Sequence, residues 1–187
     1  MTGVETLMTV DEFERLPDDE WRTELVRGRV VREPPATLDQ GWLASRVSFV
    51  LTDFVNRHGL GETFLATGFV LFEEPPTVRA PHVAFVSRSR LPSREESVHF
   101  GRMAPDLAVE IVSPSSTATE ILDRAVDYID SGTPLVWVVE PSRRSVTVYH
   151  SRNEIRLLQE GDALDGYDVL PGFSVPVAEL FARSTTG

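Results

Sequence analysis

The sequence predicts an α/β (α+β) chain with a mixed central β-sheet flanked by helices. Three observations carry that expectation. The element order reads helix, hairpin, helix, several strands, helix, strands. The stretch from Asp39 to His58 places Trp42, Leu43, Val47, Val50, Leu51, Phe54 and Val55 at helical spacing. The run PLVWVVE is nearly all apolar, as suits a strand buried on both faces. A chain of 187 residues fits one domain, 1–187 with a core from about 8 to 181, and no repeat or boundary interrupts it.

The elements follow in order. MTVDEFERLPDD reads as a short helix capped by Thr9 and ended by Pro17. TELVRGRVVRE reads as a hairpin turning at Gly28. PPAT breaks the chain before the long helix, which HGLG stops. ETFLATGFVLFE and HVAFV are strand-like, with EEPPTVRAP between them as a turn or loop. SRSRLPSREESVHFGRMA is polar, irregular and expected to be exposed. APDLAVEIVS is a strand, and SPSSTATE a loop into a helix capped by a serine or threonine before Glu120. In that helix Ile121, Leu122, Ala125, Tyr128 and Ile129 form one apolar stripe, and Gly132 ends it. PLVWVVE, SVTVYH, EIRLLQE and a closing VPVAELF complete the pattern.

Composition removes several function classes. With no cysteine there are no disulfides, thiolate metal sites or cysteine nucleophiles. No apolar run reaches the length of a membrane span. MTGVETLMTVDEFERLP lacks the basic start and apolar core of a signal peptide, so the expected location is the cytoplasm. The net charge of −11 argues against a grip on nucleic acid by overall charge, though a local patch can still provide one. All 18 basic side chains are arginine, so no lysine can act as base, Schiff-base former or phosphate anchor. There is no GxGxxG, Walker loop, nucleophile elbow or helical zinc pair.

Chemistry concentrates in a few places. On a strand over APDLAVEIVS, Asp106, Ala108, Glu110 and Val112 share one face. Glu110 interrupts a run that otherwise favours burial, and a buried carboxylate needs a metal, a cation or several donors. The alternatives are a functional site and a structural role, either a salt bridge to a neighbouring arginine or a strand end that reaches water; Asp106 follows Pro105 and suits a strand start. Glu120 and Arg124 lie one turn apart, where an exposed ion pair is the simpler reading. Glu24, in TELV, reads as a surface glutamate on an edge strand. His82 follows Pro81 at the head of a short strand, a place that tolerates a polar residue.

TELVRGRVV, the long helix, RAPHVAFVSRSRL, APDLAVEIVSPSS, DRAVDYIDSGTPLVWVVEP and VTVY together resemble, in order, the bacterial putative restriction endonuclease family of the PD-(D/E)XK nuclease superfamily. The resemblance runs from about Met8 to Phe181. It implies a restriction-endonuclease-like fold and a metal-dependent endonuclease cleaving phosphodiester bonds of nucleic acid, DNA first. It also implies a divalent metal, Mg²⁺ or Mn²⁺, and a homodimer, since cutting both strands favours two sites. The family's glutamate falls on Glu24, its metal-binding aspartate on His82, its second acidic ligand on Glu110 and its lysine on Arg124. A histidine at the start of the long helix falls on Gln40. Metal ligands are then His82 and Glu110; with an imidazole among them, softer metals such as Fe, Ni or Zn enter the choice. Two of these positions depart from the family pattern, so the alternative is a degenerate nuclease-fold protein that works in binding or assembly.

Overall fold

The computed structural model describes residues 7–17 and 22–183. In chain order the elements are helix α1 (Val10–Glu14), strands β1 (Arg22–Val26) and β2 (Arg29–Glu33), and helix α2 (Leu38–His58). Strands β3 (Gly61–Leu65), β4 (Phe69–Phe72), β5 (Thr77–Arg79), β6 (Val83–Ser87) and β7 (Leu107–Ile111) follow, then helix α3 (Ala118–Asp130). Strands β8 (Leu135–Glu140), β9 (Ser145–Tyr149), β10 (Ile155–Leu158), β11 (Ala163–Asp165) and β12 (Ser174–Pro176) lead to helix α4 (Val177–Leu180).

Two main sheets result. The larger runs β10-β9-β8-β7-β6-β3 and is mixed: β7 and β8 are parallel, and its other pairs antiparallel. The smaller runs β2-β1-β5-β4, and β11 and β12 form a separate ribbon. Strand alternation divides the large sheet's side chains between two layers. Val83, Phe85, Leu107, Val109 and Ile111 point to α2, meeting Leu43, Val47, Leu51 and Val55. Ala84, Val86, Ala108, Val136 and Val138 point the other way, meeting Ala125 and Tyr128 of α3. Among the described residues no helix is long and apolar enough to cross a membrane.

The caps explain where the helices begin. Thr9, Thr37 and Thr117 each close a capping box, with Glu12, Gln40 and Glu120 reaching back. In the β1–β2 hairpin Arg27 and Gly28 both take positive φ, as a tight primed turn requires. The end of MTVDEFERLPDD falls outside the described residues.

Four expectations change. EEPPTVRAP is no simple loop: Thr77–Arg79 is a strand that pairs with both β1 and β4. ETFLATGFVLFE is not one strand but two, belonging to different sheets. Leu122 is 49% exposed and outside the stripe, while Asp127 on the same helix is buried. The polar stretch after β6 is irregular as expected, yet Ala104 is buried against the core and Met103 packs on it.

Candidate active site

The site is built from cross-strand pairs. In β1–β2, Arg22 stands opposite Glu33. The β1–β5 register sets Leu25 opposite Val78, which carries Glu24 opposite Arg79. The β6–β7 register sets Ala84 opposite Ala108, which carries His82 opposite Glu110. Residues directly opposite on antiparallel strands hold their side chains close together. The segment Thr77–Ser87 leaves the small sheet after Arg79 and enters the large one after His82, so it joins the pairs. Helix α3 covers that junction with Arg124 and Tyr128, four residues apart on one face.

The inner part is closed. Glu24 is 1% exposed. Arg79 Nη1 donates to Glu24 Oε2 at 2.9 Å, the Ala80 N–H donates to Oε1 at 3.0 Å, and Arg124 Nη1 donates to Oε1 at 2.8 Å. Arg79 also donates through Nε and Nη2 to Asp127 Oδ2 at 3.1 and 2.6 Å. Burial pushes the Glu24 carboxyl up, but Arg124, Arg22 and Arg79 together with the Ala80 N–H hold it down at about 2. Arg79 stays charged: burial opposes its cation, and Glu24 and Asp127 outweigh that.

The outer part is looser and opens to solvent. His82 Nδ1 lies 2.7 Å from Glu110 Oε2, and the Tyr128 hydroxyl donates to Glu110 Oε1 at 2.9 Å. Burial first, then the charges of Glu110 and Glu24, raise the Tyr128 pKa well above its usual value, so the hydroxyl remains a donor. Arg124 and Arg22 each approach Glu110 at 3.5 Å. Arg22 also lies 3.5 Å from Glu24, 3.3 Å from Glu33 and 3.3 Å from His82 Nε2, and it donates to the Ala80 carbonyl. Arg124 pairs with Glu33 as well. Burial disfavours the Arg22 cation, but Glu110 and then Glu24 more than restore it.

Arg22, Glu33, His82, Glu110 and Arg124 line one end of a cleft of about 1420 Å³. The small sheet, the start of α2 and the loop between β7 and α3 form its walls. Gly41, Ser45 and Ser48 make the α2 wall small, and a Cβ at Gly41 would meet nothing within 4 Å.

The sequence-predicted residues Glu24, His82, Glu110 and Arg124 therefore meet in one place. Glu24 is not an edge-strand surface residue, because β1 lies inside its sheet between β2 and β5. Glu120 and Arg124 do not form an exposed pair. Glu120 accepts from the Thr117 N–H and hydroxyl, while Arg124 turns inward to Glu24, Glu33 and Glu110. Gln40 is spent on the α2 cap, with Oε1 accepting from Thr37. Asp106 serves the strand start, accepting from the Ser87 N–H at 2.7 Å. Sequence reasoning missed Arg22, Glu33, Arg79 and Asp127. Arg22 and Glu24 at period two on one strand face were a signal; the partners across the strands needed the register.

Comparisons with known proteins bear on the family and the fold. A model of the Uma2 family, described as putative restriction endonuclease, matches residues 10–178. The chain belongs to the Uma2 family. Among solved structures, it is similar to the crystal structure of a putative nuclease belonging to DUF820 from Anabaena variabilis ATCC 29413. The TM-score is 0.82 at 21% identity, over 93% of this chain and 97% of that one. That likeness establishes a shared restriction-endonuclease-like fold. Among curated proteins no sequence matches.

In this Uma2 chain no group of three or more His, Asp or Glu converges on one metal position among the described residues. What the site offers is one pair, His82 Nδ1 and Glu110 Oε2, at 2.7 Å. That contact is a hydrogen bond; neighbouring donors on an octahedral ion with bonds near 2.1 Å stand about 3 Å apart, so an ion would replace the shared proton and part the two atoms slightly. The donor chemistry is one imidazole nitrogen and one carboxylate oxygen. It fits a nitrogen-accepting divalent ion whose other positions are filled by water or phosphate oxygen. It fits Mg²⁺ poorly, because Mg²⁺ takes oxygen ligands and Glu110 Oε1 is already engaged by Tyr128.

Proposed function

We propose that this Uma2 chain is an endonuclease that hydrolyses phosphodiester bonds of nucleic acid, DNA foremost, at the His82–Glu110 end of the cleft. One observation carries the reading. Residues from β1, β7 and α3, with His82 just ahead of β6, bring a carboxylate, an imidazole and two guanidinium groups to the same cleft end. A divalent ion held by His82 and Glu110, with Mn²⁺ the best fit, would supply an activated water and neutralise charge developing on the phosphate. The chain's own groups do the rest. Arg22 and Arg124 are only partly buried and stand 3.5 Å from Glu110, a spacing long enough for each to turn to a phosphate oxygen while Arg124 keeps its bond to Glu24 at 2.8 Å. Arg124 stays protonated throughout, so its contribution is electrostatic and never that of a base. Tyr128 fixes the orientation of Glu110.

The test is incubation with plasmid and single-stranded DNA in EDTA, Mg²⁺ and Mn²⁺, beside Glu110→Ala. The expected result is Mn²⁺-supported cleavage that EDTA and Glu110→Ala both remove. Cleavage that survives Glu110→Ala overturns the reading. One observation favours a second reading, a nuclease-fold protein with a silent site. The Arg22 cation stands within 3.5 Å of both Glu24 and Glu110 and 3.3 Å from His82, facing the two donors. Under that reading the natural chain does not cleave, and His82→Asp creates Mg²⁺-dependent cleavage.

A further inference from the structure

An apolar ledge borders the His82 end of the cleft. Phe49 on α2 is 65% exposed and Leu65 at the end of β3 is 57% exposed. Their place beside the site follows from packing and register. The hydroxyls of Thr52 and Thr63 meet at 2.6 Å, which fixes α2 against β3. Phe49 lies one turn before Thr52 on the same helix face, and Leu65 lies two residues after Thr63 on the same strand face. Only Gly59 and Leu60 separate helix from strand, so β3 runs back along α2. Both steps therefore lead in one direction, toward His82. Leu65 stands opposite Val83, and the Ala66 N–H donates to the His82 carbonyl at 3.4 Å. Phe49 and Leu65 line the same cleft as Arg22 and Arg124.

We propose that this ledge seats a nucleobase and that the chain's substrate is single-stranded nucleic acid. Phe49 stacks one unpaired base while Arg22 and Arg124 hold the adjoining phosphate. This rests on the phosphodiester reading above and extends it to substrate class. The argument has two parts. A base inside a duplex has both faces covered by its neighbours, whereas an unpaired base presents a free face to an aromatic ring. The net charge of −11 denies the chain a broad basic surface, so affinity must come from a few local cations and from contacts that do not depend on charge. Stacking on an exposed phenyl ring in the cleft that holds two arginines meets both conditions.

The experiment measures binding of fluorescent, cleavage-resistant phosphorothioate oligonucleotides in Mn²⁺: a single strand, the same strand made abasic, and a duplex. Because Phe49 is exposed, Phe49→Ala disturbs folding little. The wild-type chain is expected to prefer the single strand over its abasic form by about 5- to 30-fold. Phe49→Ala removes that preference and leaves abasic affinity unchanged. Phe49→Trp keeps the preference, and its added fluorescence is quenched on binding. Equal affinity for the single strand and its abasic form, duplex binding as tight as single-strand binding, or a preference that survives Phe49→Ala overturns the ledge while sparing the phosphodiester reading. So does a sedimentation result in which Phe49→Ala only splits a dimer, which gives the ledge to a second copy. If none of the three probes binds, the phosphodiester reading fails and the ledge with it.

Discussion

The inner and outer halves of the charged cluster share residues and differ in tightness. Around Glu24 three donors stand at 2.8–3.0 Å and meet both oxygens, from Arg79, Arg124 and the Ala80 N–H, with Arg22 farther off at 3.5 Å. Around Glu110 two contacts are short, from Tyr128 and His82, and two are long, at 3.5 Å from Arg22 and Arg124. A buried charge with all its partners is fixed structure. Glu110 is buried too, but both of its cations stand 3.5 Å away, so they can turn to a ligand in the cleft while Arg124 stays on Glu24. The inner half therefore positions, and the outer half is where chemistry has room.

The largest effect belongs to the inner half. Arg79→Met leaves buried Asp127 without its closest cation and removes the partner of Glu24 Oε2, and the expected loss is about 3–5 kcal/mol in urea unfolding. A loss below about 1 kcal/mol would break the distinction between the halves. Acid probes the same place. The Glu24 carboxyl is held at about 2 against an ordinary 4.5, so its stabilisation is fully present above pH 4.5 and fades as pH falls toward 2. Its share is about 3 kcal/mol. In Glu24→Gln the pH dependence of unfolding across that window should flatten; an unchanged slope would assign acid sensitivity elsewhere.

The outer half should respond more mildly in stability. Tyr128→Phe removes the hydroxyl that donates to Glu110, a hydrogen bond to a charged group worth about 1.5–3 kcal/mol. Cleavage should fall with it, because Glu110 loses its orientation; full activity would show that Tyr128 only packs. The smallest effect lies outside both halves. Arg57 and Asp53 pair on the exposed side of α2, and Arg57→Ala should change stability by no more than about 0.5 kcal/mol. That control separates the consequence of ion pairing from the consequence of burial.

Much of this was legible in the sequence. Period-two alternation put Glu110 on the face shared with Ala108, and the structure keeps it there, turned toward α3. Helical spacing found α2 within one residue of its start, and the cap residues Thr9 and Thr117 behaved as their chemistry suggests. The resemblance singled out Glu24, His82, Glu110 and Arg124, which the fold brings together. What escaped was pairwise. The strand Thr77–Arg79 lies in a stretch rich in proline, where turn signals dominate, and only its two neighbours in the sheet make it a strand. The inward turn of Arg124 depended on Glu33, a residue whose position is set by the hairpin register. Asp127 carried no signal of burial in the helix pattern; its partner Arg79 comes from another sheet.

The junction segment Thr77–Ser87 has a consequence for the newly made chain. Because β-strand side chains alternate, a slip of one residue between β6 and β7 would send His82 and Glu110 to opposite faces. A similar slip between β1 and β5 would strip Glu24 of Arg79. The charged centre therefore comes into being only when both sheets have locked into register, and a chain caught part-way through folding carries no completed cluster.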